Sequence, residues 1–202
     1  MGWQADMVRT IIKAVDWMPE RHACIQYLKR NLPDAEWCMD EKKSALDTLL
    51  RALEMAGDDP CLHLEEDIFL TTDFERKAEA AIAEHPDSLI QFFSMRKADR
   101  EQGSRWDRDY LMNQCFYAPA GYSAAIRAYY EEWSSVPGQL EKNANGSDTL
   151  VRDFLKDRKE QYWIHCPSLV DHRSLTSAID KRRAKTNRQS FTFKDPVWAP
   201  GC

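Results

Sequence analysis

The sequence has no CxxC pair, no apolar run long enough to cross a bilayer, no internal repeat and no overall excess of positive charge. The missing apolar run excludes a membrane-spanning helix, and Met1 to Asp6 carries neither a basic start nor an apolar signal segment, so export is not expected. Without paired cysteine motifs, a zinc ribbon or a disulfide framework has no basis. Cys24, Cys38, Cys61, Cys115, Cys166 and Cys202 are spread out, several within apolar runs, which fits buried thiols in a reducing, cytoplasmic compartment. A net charge of −5 gives no general attraction for nucleic acid.

What is present suits one globular domain, residues 1–202, with a polar, basic tail from about residue 168 packing over it. An apolar fraction of 43% and an aromatic fraction of 11% are too high for a disordered chain. At 202 residues a domain buries roughly 70% of its unfolded surface and needs no covalent staple.

Val8 to Val15 is rich in β-branched residues and ends in Asp16-Trp17-Met18-Pro19, which predicts a strand and a loop. Arg21 to Asn31 has helical spacing with Pro33 as its stop, Trp37 to Met39 reads as a second strand, and Ser44 is placed to cap a helix ended by Gly57. Cys61 to Leu64 and Ile68 to Leu70 are apolar runs separated by three acids. Phe74 to Ala83 predicts a helix, Leu89 to Phe93 a central strand, Cys115 to Ala118 a strand and Ala120 to Trp133 a helix. Arg96 to Asp109 is expected to be a long functional loop. Pro137 to Ser147 reads as a surface connection, with Ser147 or Asp148 capping a helix to Lys159, and Tyr162 to Cys166 as a last short strand. This alternation predicts an α/β fold with a mostly parallel central sheet flanked by helices, and ligands at the carboxyl ends of its strands.

The chemistry concentrates in Glu65-Glu66-Asp67. Three adjacent carboxylates among apolar residues resist burial unless something positive is bound there. Mg²⁺ or Mn²⁺ is the natural partner, because each takes oxygen ligands from one or two carboxylates plus substrate phosphates. The alternative is an exposed acidic turn between two strands. On a continuous strand Glu65 and Asp67 would share one side and Glu66 the other.

These motifs, in this order, resemble the GT-A glycosyltransferases, and among them the small phage and bacterial members. Pro19-Glu20-Arg21 looks like the group's opening Pro-x-Arg, and Asp40 falls where its nucleoside-binding acid is found. Leu64 to Ile68, followed by Asp73-Phe74, looks like its variant DxD segment, with Glu66 where Asp is more usual. Pro167-Ser168-Leu169-Val170-Asp171-His172 looks like its C-terminal block. The resemblance runs from about Val8 to about Phe193.

It implies a single GT-A-like domain that moves a sugar from a nucleotide-sugar, a UDP-sugar above others, to a hydroxyl acceptor. Asp67 and His172 would hold the metal, Glu65 or Glu66 would meet the donor ribose or metal waters, and Arg21 would contact the diphosphate. Asp148 would serve as the base of an inverting reaction. The plain alternatives are a loop histidine for His172, a surface arginine at a helix start for Arg21 and an N-cap for Asp148. The small phage enzymes suggest DNA carrying 5-hydroxymethylpyrimidine as acceptor, with Arg105, Trp106 and Arg108 and the basic run Lys181, Arg182 and Arg183 as its contacts. Competing readings are a glycan or protein acceptor, an inactive binding module for nucleotide-sugar or nucleic acid, and an interaction protein whose acidic triplet is only surface.

Overall fold

The computed structural model describes residues 8–143, 146–178 and 188–197. The acceptor residues Lys181, Arg182 and Arg183 lie outside them. Among the described residues no helix is long and apolar enough to cross a membrane.

The chain opens with β1 (Arg9–Ala14), α1 (Pro19–Asn31), β2 (Glu36–Met39) and α2 (Ala45–Ala56). Each start has a local cause. Pro19 sits at the first helical position, where its missing N–H costs nothing. Ser44 caps α2 by accepting the backbone N–H of Asp47 at 3.2 Å, and Gly57 ends that helix at a φ of +61°. Then follow β3 (Cys61–Glu65), β4 (Ile68–Leu70), α3 (Phe74–Glu84), β5 (Ile90–Gln91), α4 (Asp99–Gln102), β6 (Arg105–Asp107) and β7 (Cys115–Ala118). The chain continues with α5 (Tyr122–Ser135), α6 (Gln139–Asn143), α7 (Ser147–Asp157), β8 (Tyr162–Ile164) and β9 (Val170–His172).

Seven strands form one sheet in the order β2-β1-β3-β7-β5-β8-β6. The β1–β2, β1–β3 and β5–β8 pairs are parallel, whereas β3–β7, β5–β7 and β6–β8 are antiparallel. Five strands therefore run one way, with β7 and β6 reversed, so the sheet is mostly parallel in direction yet mixed in its ladders. Helices cover both faces. Tyr27 and Leu28 of α1 and Phe74, Ala78 and Ala81 of α3 pack with Ile12 and Leu64 on one side. On the other, Leu49 and Leu53 of α2, Ile126 of α5 and Leu150 and Phe154 of α7 pack with Phe116.

Three expectations need correction. Arg96 to Asp109 is not a long open loop: it holds α4 and the edge strand β6, because its charges compensate one another. Arg105 pairs with Asp99 at 2.8 Å and Asp107 at 3.2 Å, and Arg96 with Asp107 at 3.1 Å. The cap of α7 is Gly146 rather than Ser147 or Asp148, and Ser147 is its first, buried residue. The tail expected from about residue 168 is not merely a polar cover, since its β9 pairs antiparallel with β4 in a second, two-stranded sheet and buries Val170 and His172.

The sheet also buries His63 of β3 completely. Its ring stacks on Phe116 at 4.9 Å between centroids, and Nε2 lies 3.1 Å from Ser123 Oγ. Burial, reinforced by Lys13 and Arg9, depresses its pKa from 6.5 to about 3. The unfolded chain therefore binds a proton that the folded chain refuses. The resulting stability is complete above pH 6.5 and is lost as pH falls toward 3, at about 1.4 kcal/mol per unit. His63→Gln should remove that slope, so thermal melts of the two proteins between pH 7 and 4.5 should converge on acidification. Parallel curves would show that His63 is not the titrating group.

Candidate active site

The carboxyl ends of β1, β2 and β3 open onto a cleft of about 630 Å³, mouth included. This is where the open edge of parallel strands binds ligands. Lys13, Ala14 and Val15 enter it from β1 and the turn after it, Asp40 follows β2, and Glu65 closes β3. Arg21, one turn into α1, reaches it together with Glu66, Asp67 and His172, and with Ser177 and Arg188 from the C-terminal segment. The residues expected to bind donor and metal, Arg21, Asp40, Glu65, Glu66, Asp67 and His172, are thus brought together from four separate parts of the chain.

The triplet is not arranged as a straight strand would have it. Glu65 ends β3, and the chain turns through Glu66 and Asp67 before β4, which belongs to the other sheet. As a result, the second and third acids share a partner, and the first faces elsewhere. Arg21 Nη1 lies 2.9 Å from Glu66 Oε1 and 2.5 Å from Asp67 Oδ2. Nη2 donates to the carbonyl of Thr176 at 2.9 Å. With 3% of its surface exposed, Arg21 is no surface arginine. Glu65 instead accepts from Gln114 Nε2 at 3.1 Å and faces Lys13 Nζ at 3.5 Å.

His172 joins through the small sheet. The β4–β9 ladder sets Ile68 opposite His172, beside Asp67, and His172 Nε2 lies 3.1 Å from Asp67 Oδ2. His172 is therefore not a lone loop histidine. Glu66 and Asp67 are buried and Glu65 is half-buried, so the triplet is not an exposed acidic turn either.

Burial and the neighbouring charge of Asp67 push the Glu66 carboxyl up to about 8, so it holds its proton at neutral pH. Burial also opposes ionisation of Asp67, but His172 and Arg21 outweigh it and hold that carboxyl below its ordinary range. For His172, burial works against the charged form and Asp67 more than offsets it, so its pKa is raised.

Asp67 and His172 offer two donor atoms suited to a hard divalent cation, with Asp67 Oδ2 at present paired with Arg21 Nη1 at 2.5 Å. Two neighbouring ligand atoms on an octahedral ion with bonds of about 2.1 Å are about 3 Å apart, which matches the spacing of Asp67 Oδ2 and His172 Nε2. His172 Nδ1 is buried without a hydrogen-bond partner among the described residues. Among those residues no group of three His, Cys, Asp or Glu converges to hold an ion from protein atoms alone. An ion held there would need further oxygens, such as those of substrate phosphates, which Mg²⁺ commonly takes.

Asp40 is held firmly. Its Oδ1 accepts the backbone N–H groups of Lys42 at 3.2 Å and Ser44 at 3.1 Å, and Oδ2 accepts Trp17 Nε1 at 3.3 Å. Asp148 lies near the start of α7 and is not among the residues lining the cleft. It is close enough to Tyr110 to help burial raise that hydroxyl's pKa, and Tyr110 donates to Asn113 Oδ1 at 2.7 Å. The carbonyl of Asn113 in turn receives Lys13 Nζ at 3.2 Å. Arg105, Trp106 and Arg108 do not come to the cleft. Arg105 and Trp106 form β6 and Arg108 follows it, on the opposite edge of the sheet, four strand spacings or roughly 19 Å from β3.

Lys13 and Gln114 were not singled out by sequence. A lysine inside the apolar run of β1 was the available signal for the first, whereas Gln114 has none. Arg188 was given no site role by sequence, yet its Nε and Nη2 are buried and unpartnered among the described residues.

The architecture is that of an α/β protein with its cleft at the switch in a mixed sheet. No family model and no curated protein matches the chain. Among solved structures, A197 from STIV matches with a TM-score of 0.50 at 18% identity, over 96% of this chain and 98% of that one. At that identity the likeness concerns the fold.

Proposed function

We propose that this protein is a divalent-metal-dependent glycosyltransferase that uses a nucleotide-sugar, a UDP-sugar above others, and passes the sugar to a hydroxyl acceptor. The observation that carries this reading is the buried constellation of Glu66, Asp67, Arg21 and His172 at the carboxyl ends of parallel strands. The alignment of Pro19 to Arg21, Glu65 to Asp67 and Pro167 to His172 with the GT-A pattern supports it.

Asp67 and His172 would hold Mn²⁺ or Mg²⁺, which supplies Lewis-acid neutralisation of the charge developing on the leaving nucleoside diphosphate. Arg21 fixes the acids and adds a positive charge beside the leaving group, where preorganised charge is most effective. Arg188 brings a second guanidinium from the C-terminal segment. Asp40 faces the nucleoside and Glu65 the ribose hydroxyls, whereas Asp148, outside the cleft lining, is not placed to take the acceptor's proton. Among acceptors, 5-hydroxymethylpyrimidine DNA rests on the basic run alone, since Arg105, Trp106 and Arg108 lie at the far edge of the sheet from the cleft. A glycan or protein hydroxyl requires none of these.

The test is release of nucleoside diphosphate from a panel of nucleotide-sugars with Mn²⁺, Mg²⁺ or EDTA, alone and with plain DNA, hydroxymethylated DNA or a glycan. UDP release that EDTA abolishes and one acceptor accelerates is the expected result. Metal-dependent binding without turnover would leave an inactive binding module, and no metal-dependent nucleotide binding at all would overturn the reading.

A further inference from the structure

Trp17 is a large aromatic left 37% exposed in the turn between β1 and α1. Nevertheless it is held in place. Its Nε1 donates to Asp40 Oδ2 at 3.3 Å, and Lys43 Nζ lies 5.1 Å from its ring centroid. Both partners line the cleft. Lys43 itself has a φ of +56°, the left-handed region that few lysines occupy. It is held there by Asp40 Oδ1, which binds the backbone on either side of it at Lys42 and Ser44.

An exposed indole needs neither a fixed ring nor a strained neighbour to stay soluble. Trp17 is not itself a lining residue, but through Asp40 and Lys43, which are, the two loops build a flat, electron-rich platform beside the cleft that also holds Glu66 and Asp67. An exposed ammonium over an aromatic face contributes only about two- to fivefold in an equilibrium. Stacking of a nucleobase on such a face contributes about 5- to 150-fold. A planar base can therefore displace Lys43 from the ring and free that ammonium for the phosphates.

We infer that Trp17 is the residue on which the nucleobase of the bound nucleotide stacks, with Asp40 and Lys43 setting its orientation. The inference rests on the glycosyltransferase reading for the identity of the nucleotide. Stacking is tolerant of the base, so Trp17 supplies affinity, and base selection falls to groups that face the base edge.

The experiment measures binding of UDP, ADP and inorganic pyrophosphate in the presence of Mn²⁺ by calorimetry, for the full chain and for Trp17→Leu and Trp17→Phe. Trp17→Leu should lose about tenfold or more in affinity for UDP and ADP and keep its affinity for pyrophosphate. Trp17→Phe should recover most of the loss. Nucleotide should also quench tryptophan fluorescence in the parent protein by more than in Trp17→Phe. Unchanged UDP affinity in Trp17→Leu would overturn the stacking role and leave the glycosyltransferase reading standing. An equal loss for pyrophosphate would make Trp17 merely structural and overturn the role as well. If the parent chain binds neither nucleotide, both readings fall together.

Discussion

Replacing Asp67 with asparagine is expected to reduce metal-dependent donor turnover by about a hundred- to a thousandfold without unfolding the protein. The substitution keeps the size of the side chain and removes its charge, and a neutral amide oxygen is a poor ligand for a hard cation. The charge balance of the buried site survives the change. Arg21 Nη1 already lies 2.9 Å from Glu66 Oε1, so one cation still faces one acid. Glu66, pushed to about 8 by burial and by Asp67, loses the second of these causes and ionises more readily beside Arg21. His172 loses the carboxylate that raises its pKa. The protein should thus remain folded by circular dichroism while manganese binding in the presence of UDP, followed by electron paramagnetic resonance, disappears. Turnover that persists in Asp67→Asn with an undiminished response to EDTA would show that the ion is held elsewhere.

How much of this site could be read from sequence depends on the range of each interaction. Local signals were legible: Pro19 at the start of α1, Ser44 as the cap of α2 and Gly57 as its end each act over a single turn. The acids also betrayed themselves, since carboxylates flanked by Leu64 and Ile68 demand compensation. Which acid faces which partner was not legible. A bend between two sheets, rather than the twofold alternation of one strand, turns Glu66 and Asp67 together onto Arg21 and sends Glu65 to Lys13 and Gln114. The pairing of His172 with Asp67 spans about half of the chain and depends on a three-residue strand, too short to show a period.

The direction of β7 was hidden for a similar reason. Cys115-Phe116-Tyr117-Ala118 is apolar throughout and buried on both faces, so it reads alike in either orientation. Only the connections around it set the antiparallel pairing with β3. In Arg96 to Asp109 the polar composition pointed to a loop, whereas pairing of Arg105 with Asp99 and Asp107 lets the same residues form an edge strand. Arg105 and Asp107 share one side of the strand, and Asp99, six positions before Arg105, reaches it only across the turn at Gly103, with its φ of +64°.

Arg21→Met is expected to produce the largest loss of stability. Breaking a buried ion pair by removing one partner costs about 3–5 kcal/mol, because the other charge is left in a poor solvent. In a chain of this size that corresponds to a fall in Tm of about 10 °C. Here one guanidinium serves two acids and the carbonyl of Thr176, so its removal also loosens the C-terminal segment from the cleft. The sign of the pH dependence follows from Glu66. Its folded pKa stands above its unfolded value, so its contribution is complete below about 4.5 and is lost as pH rises through about 8. Without Arg21 the ionised form is less favourable still, and the deficit of the variant should widen from pH 6 to pH 9. The double variant Arg21→Met, Glu66→Gln should abolish that widening and recover the part of the loss that appears at high pH, since it removes the acid that Arg21 alone compensates, whereas Asp67 keeps His172. Mn²⁺ with UDP should raise the Tm of Arg21→Met markedly, because a bound cation supplies the positive charge the arginine gave. A loss below about 1 kcal/mol, with no response to pH or to Mn²⁺ and UDP, would mean that Glu66 and Asp67 are solvated in solution, and the electrostatic account of the cleft would fail with it.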